Sequence, residues 1–135
     1  MGPLVLTVQI VNALIPKLEQ AFSGFDRLRD RSRQIRVKTT AIEMIWAEQL
    51  HEPTCPDHTE YVSHMEALEK LNQEFGRAAA EIEELGGVVK GVDAGLVDFY
   101  GVREGRLVFL CWRRGETEVA FWHHVDEGFG NRRPL

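Results

Sequence analysis

Apolar residues recur at every seventh position through most of the first 86 residues, in two runs separated by a proline-bearing loop. The first run is Leu14, Ala21, Leu28, Ile35 and Ile42, with Leu18, Phe25 and Trp46 on the companion positions. Ser32 and Thr39 fall on the same seam and weaken it locally. The pattern predicts an amphipathic helix from Thr7, which can serve as its N-cap, to about Leu50. Such a helix of roughly 40 residues is about 60 Å long at 1.5 Å per residue. Pro16 lies inside it and predicts a kink or break near Ile15. Leu4 to Leu6, just before it, reads as a brief strand.

The loop His51 to Thr59 (HEPTCPDHT) carries two prolines and cannot continue the helix. Asp57 or Thr59 can cap a second helix. Tyr61, Leu68, Phe75 and Ile82 make its seven-residue series, with Leu71, Ala78 and Leu85 beside it, and Gly86-Gly87 is its stop. Together the runs predict an antiparallel helical hairpin over residues 7–86 with a coiled-coil-like seam. Lys17 to Lys38 holds seven basic and three acidic residues, whereas Glu43 to Glu84 holds two basic and eleven acidic. A turn centred near Cys55 brings Arg27, Arg29 and Arg31 close to Glu81, Glu83 and Glu84.

From Gly95 to His124 the periodicity changes. Leu96–Val102, Leu107–Trp112 and Val119–Trp122 are short β-rich runs separated by Arg103-Glu104-Gly105-Arg106 and Arg114-Gly115-Glu116-Thr117. Gly105 is available for positive φ, and the second turn obeys the same logic. The middle run is apolar on both alternating faces, so both should be covered, one of them by the helices. Val88 to Asp93 reads as a further short strand. The last residues, 125–135, form a tail rich in turn formers, with Phe129 folding back onto the sheet. The fold class is therefore α+β: a long helical hairpin followed by a three- to four-stranded antiparallel β-meander, in a single domain over residues 1–135.

Bulk properties exclude several function classes. The formal net charge is −5, which argues against binding along a phosphate backbone, and the arginine run RLRDRSRQIR reads as a face paired within the chain. No apolar run reaches the ~20 residues of a membrane span. The start carries no basic region ahead of its apolar stretch, and Leu6 stands where a myristoylation site wants Ser or Thr. A cytoplasmic protein is the simplest reading. Cys55 and Cys111 lie in unlike settings, which does not suggest a disulfide.

Four segments, GLVDF (Gly95 to Phe99), LCWRRGE (Leu110 to Glu116), Trp122-His123 and GFGNR (Gly128 to Arg132), resemble the signature of a bacterial domain-of-unknown-function family, number 2203. The N-terminal part resembles it in Leu14-x-Pro16 and departs from its usual helix start at Val8 to Ala13. The resemblance implies a fold and a set of marked positions, without an activity.

The polar members of those segments are Asp98, Arg113, Glu116, His123 and Arg132. A charge inside an apolar strand is costly unless paired. In one reading they are scaffolding, with Asp98 paired to Arg113 or Arg132 and His123 to Glu116. In the other they line a cleft, with a carboxylate and an imidazole for acid–base work or metal ligation, Glu116 and His123 being the candidate ligands. A tight turn at Glu104-Gly105 sets Asp98 opposite Cys111. A turn between Gly115 and Glu116 sets Val108 opposite His123 and Ala120 opposite Cys111. His51, Cys55, His58 and His64 have zinc-compatible spacing, but two prolines stiffen their loop. Cys111 in an apolar strand reads as inert. There is no Gly-x-Ser-x-Gly, P-loop, GxGxxG or HExxH motif. No cofactor is expected beyond a divalent metal ion. The reading favoured is a small interaction or scaffold module that self-associates, with a metal-binding protein or small enzyme built on Asp98, Glu116, His123 and Arg132 as the alternative.

Overall fold

A computed structural model describes residues 4–135, so the expectations placed on the first three residues lie outside it. Helix α1 spans Val8–Trp46. Thr7 caps it as expected: the Ile10 amide donates to Thr7 Oγ1 at 3.2 Å. Just upstream, Val5 bridges to Tyr100 and the Leu6 amide donates to the Tyr100 carbonyl at 2.8 Å, so the brief N-terminal strand exists as a single bridge. The helix runs through Pro16 without a break. Proline inside a helix costs about 3 kcal/mol, but Val11, Ile15, Leu18 and Phe22 are all buried around it. Each such side chain contributes about 1.5–3 kcal/mol, so packing wins over the lost hydrogen bond.

The helix ends at Trp46, four residues before the expected stop. Ala47 takes a positive φ of 51°, and a 3₁₀ turn carries Ala47–His51 into the loop. Helix α2 spans His58–Glu84. The Asp57 carboxylate does not cap it: it accepts from the Trp46 indole N–H at 2.6 Å, tying the two helix ends together. Gly86, at φ +97°, ends α2 where the sequence predicts.

The chain divides into two compact units. One holds residues 25–77, and the other combines residues 1–24 with 78–135. In the first, α1 and α2 are antiparallel. Phe25 stacks on Phe75 at 4.6 Å between ring centroids, Tyr61 OH donates to Glu43 at 3.3 Å, and Ile42, Leu50 and Leu71 are buried. Thr39 is buried too, its hydroxyl donating to the Arg36 carbonyl. These contacts centre the hairpin on Leu50 to Glu52 rather than on Cys55. Arg29 and Arg31 therefore come level with Leu71 to Gln73, not with Glu81 to Glu84. The expected charge register gives way to the stacking of Phe25 on Phe75, since exposed ion pairs contribute only ~0.2–1 kcal/mol each.

The other unit holds the sheet. Its strands are β1 (Gly87–Gly91), β2 (Leu96–Arg103), β3 (Arg106–Arg113), β4 (Phe121–His124) and β5 (Arg133–Pro134), all antiparallel and neighbouring in chain order. The tail thus contributes a fifth strand beyond the expected three to four. β2 and β3 pair in the expected register, Asp98 opposite Cys111 and Arg103 opposite Arg106. Their two-residue turn has positive φ at both Glu104 and Gly105, the geometry that matches strand twist. β4 pairs with β3 one residue away from expectation: His123 faces Phe109, and Cys111 faces Phe121. The reason is the link. The chain leaves the sheet after Arg113, and Val119, expected in the strand, is buried off it with its amide donating to Asn12 Oδ1 at 2.7 Å.

Both faces of β3 are covered, as its apolar sequence requires. Val97, Phe99, Val108, Leu110 and Trp112 point to one side, where Phe22 of α1 meets Trp112 at 5.9 Å. Asp98, Phe109, Cys111, Phe121 and His123 share the other, under the tail.

Candidate functional site

A one-residue change of register moves a side chain to the opposite face of a sheet. With His123 opposite Phe109, the imidazole lies on the same face as Asp98 and reaches across β3 to it. His123 Nε2 is 3.0 Å from Asp98 Oδ2, and both residues are almost fully buried, at 1% and 2% exposure. His123 Nδ1 is 2.7 Å from the His124 carbonyl oxygen. A carbonyl only accepts, so Nδ1 carries a hydrogen. Nε2 and Asp98 Oδ2 then face each other across a buried hydrogen bond. Cys111 lies beside them: a ligand atom from each of Asp98, Cys111 and His123 falls within 4.8 Å of the others. Burial, and after it the Asp98 carboxylate, push the Cys111 thiol up to about 12. Asp98 Oδ1 is buried with no hydrogen-bond partner. An unsatisfied acceptor of that kind costs about 1–3 kcal/mol. A small cleft of about 100 Å³ opens onto Asp98 and Cys111, walled by Lys90, Glu127 and Phe129.

Glu116 and Arg132 form a separate pair. Arg132 Nη2 donates to both Glu116 carboxylate oxygens at 2.8 Å, and its guanidinium lies between the rings of Phe121 (4.1 Å) and Phe129 (4.7 Å). Glu116 Oε1 also accepts from the Arg113 amide at 2.6 Å, while the Arg113 guanidinium sits 5.7 Å from the Phe129 ring. The five polar residues singled out from the sequence are therefore partnered differently from the scaffolding expectation. Asp98 pairs with His123, not with Arg113 or Arg132, and Glu116 pairs with Arg132, not with His123. The register of β4 explains the exchange, because it turns His123 away from Glu116 and towards Asp98. Cys111 is the member that sequence reasoning passed over. Its signal was the β2–β3 register, which already set it opposite Asp98.

The histidines of the loop have separate partners. His58 Nδ1 donates to the Leu50 carbonyl at 2.8 Å, His64 meets Glu60 at 3.3 Å, and His51 sits edge-on to Tyr61. Among the described residues, Asp98, Cys111 and His123 alone form a three-membered group of metal-ligating type. Glu127, at the cleft wall, accepts from Arg133 and from the His124 amide, and these contacts hold its carboxyl down at about 2.

In the unit of residues 25–77 the notable surface is apolar. Val37, Met44 and Ile45 on α1 are 66%, 81% and 70% exposed. Val62 and Met65 are exposed on α2. A groove of about 670 Å³ runs between the helices, lined by Arg29, Arg33, Arg36 and Val37 from α1 and by Asn72 and Phe75 from α2.

These features define an α+β protein: two antiparallel helices, a five-stranded meander, and a buried carboxylate–thiol–imidazole cluster. Over residues 5–135 the chain matches the family model described as Uncharacterized conserved protein (DUF2203), and it belongs to that family. No curated protein and no solved structure matches it. Among the described residues, no helix is long and apolar enough to cross a membrane.

Proposed function

We propose that the protein is a small cytoplasmic interaction module that self-associates through residues 25–77. The observation that carries this reading is the stripe of Val37, Met44 and Ile45, three large apolar side chains mostly in water on one helix face. Charge supports a second copy as the occupant. The groove is basic, with Arg29, Arg33 and Arg36 along it, and α2 carries Glu66 and Glu69 at helical spacing beside Val62 and Met65. Two copies packed about a two-fold axis can set the basic groove of each against the acidic, partly apolar helix of the other. The apolar stripe supplies most of the affinity, because exposed ion pairs add only ~0.2–1 kcal/mol each. Nucleic acid fits less well than a second acidic chain, given the net charge of −5. The alternative in which Asp98, Glu116, His123 and Arg132 act together as one site is less favoured, because Glu116 and Arg132 form a pair of their own and do not converge with Asp98 and His123.

Sedimentation velocity of wild type beside Ile45→Glu tests the reading. A faster, concentration-dependent species in wild type that is lost in the variant supports it. Identical slow sedimentation of both removes its basis.

A further inference from the structure

We propose that Asp98, Cys111 and His123 form a site for a single zinc-like divalent cation, reached from the cleft under the C-terminal tail. This inference is independent of self-association.

The donor set is the first reason. One carboxylate oxygen, one thiolate sulfur and one imidazole nitrogen suit a borderline ion in a tetrahedral site, whereas calcium and magnesium take all-oxygen sites. Geometry is the second. Bonds of 2.0–2.3 Å to a tetrahedral ion space the donor atoms roughly 3.4–3.6 Å apart. Here Nε2 and Oδ2 are 3.0 Å apart, and the three donors all lie within 4.8 Å of one another. Small side-chain rotations close the difference. Orientation is the third. The Nδ1–H of His123 donates to the His124 carbonyl, the outer contact that fixes a metal-binding imidazole, and this leaves Nε2 directed at the other two donors.

Charge balance is the fourth reason. A thiolate and a carboxylate neutralise a dication, so the loaded site is electrically neutral in a buried setting. Binding as a thiolate releases the Cys111 proton. The unpartnered Asp98 Oδ1 is the fifth, because it is a buried acceptor already in place for a cation. Three protein ligands leave a fourth position. It opens on the cleft, where Glu127 is tied up by Arg133, so water or an incoming small ligand can fill it.

Titration of the full-length, metal-stripped protein with cobalt(II) provides the test. The expected result is a sulfur-to-cobalt charge-transfer band with intense tetrahedral visible bands, saturating at a single ion per chain and displaced by zinc. Cys111→Ser abolishes the charge-transfer band and Cys55→Ser retains it. His123→Gln and Asp98→Asn each remove a ligand and weaken binding by more than the roughly 10–100-fold that loss of an outer partner costs. Wild type giving no charge-transfer band overturns the proposal whatever the variants do. So does a band that survives in Cys111→Ser or depends on Cys55. Circular dichroism confirms that each compared variant is folded.

Discussion

The Asp98–His123 pair sets the chemistry of its surroundings. Each residue is buried and each is the other's hydrogen-bonding partner, so removing one leaves the other uncompensated. In the metal-free protein, His123→Ala is expected to lose about 3–5 kcal/mol of stability, read from the urea midpoint. Asp98→Asn, which keeps a hydrogen-bonding group facing Nε2, should lose less. A His123→Ala variant as stable as wild type would contradict the pairing. Cys111 gives a second check at the same scale. Being 1% exposed and held as a thiol up to about 12, it should resist a thiol reagent under mildly alkaline conditions in the metal-free native state, while the half-buried Cys55 reacts. Both should react in denaturant. Glu127 gives the pH dependence. Its carboxyl falls from an unperturbed 4.5 to about 2 in the folded chain, chiefly through Arg133. A lowered folded value stabilises above the unfolded one, and that stability is lost as pH falls from 4.5 towards 2. The lead of wild type over Glu127→Gln should therefore shrink across that window, measured by denaturation at stepped pH.

At the scale of elements, the register of two hairpins decides which side chains meet. The β2–β3 turn was legible because Glu104-Gly105 is a two-residue loop, and its geometry sets every pair from Arg103–Arg106 down to Asp98–Cys111. Glu104 sits at φ 53°, a left-handed conformation that asparagine adopts more readily than glutamate, so Glu104→Asn should stabilise the protein by about 0.5–1 kcal/mol. A lower denaturation midpoint in that variant would count against the turn. The β3–β4 link was not legible. Its excursion depends on Asn12, far away in sequence, accepting the Val119 amide, and no local pattern around Gly115 signals that contact. The resulting one-residue offset brings His123 to Asp98 and frees Glu116 for Arg132. The helices were legible from their seven-residue spacing. Their stops were less so, because Ala47 gives no turn signal, and Pro16 was outweighed by its buried neighbours.

At the scale of the whole molecule, membership of the family fits the C-terminal segments that resemble it, since Asp98, Cys111, Glu116, His123 and Arg132 all fall within them. Two kinds of order are present. Residues 87–135 bury one polar pair, Asp98 with His123, while residues 25–77 carry Val37, Met44 and Ile45, more exposed than any other large apolar side chains among the described residues. The second arrangement is costly for a solitary chain, and the proposed association would offset that cost. Light scattering on purified protein across a wide range of concentration tests this most directly. The account predicts a mass rising from that of the 15.4 kDa chain towards twice that value. A constant mass of one chain over the whole range would contradict it.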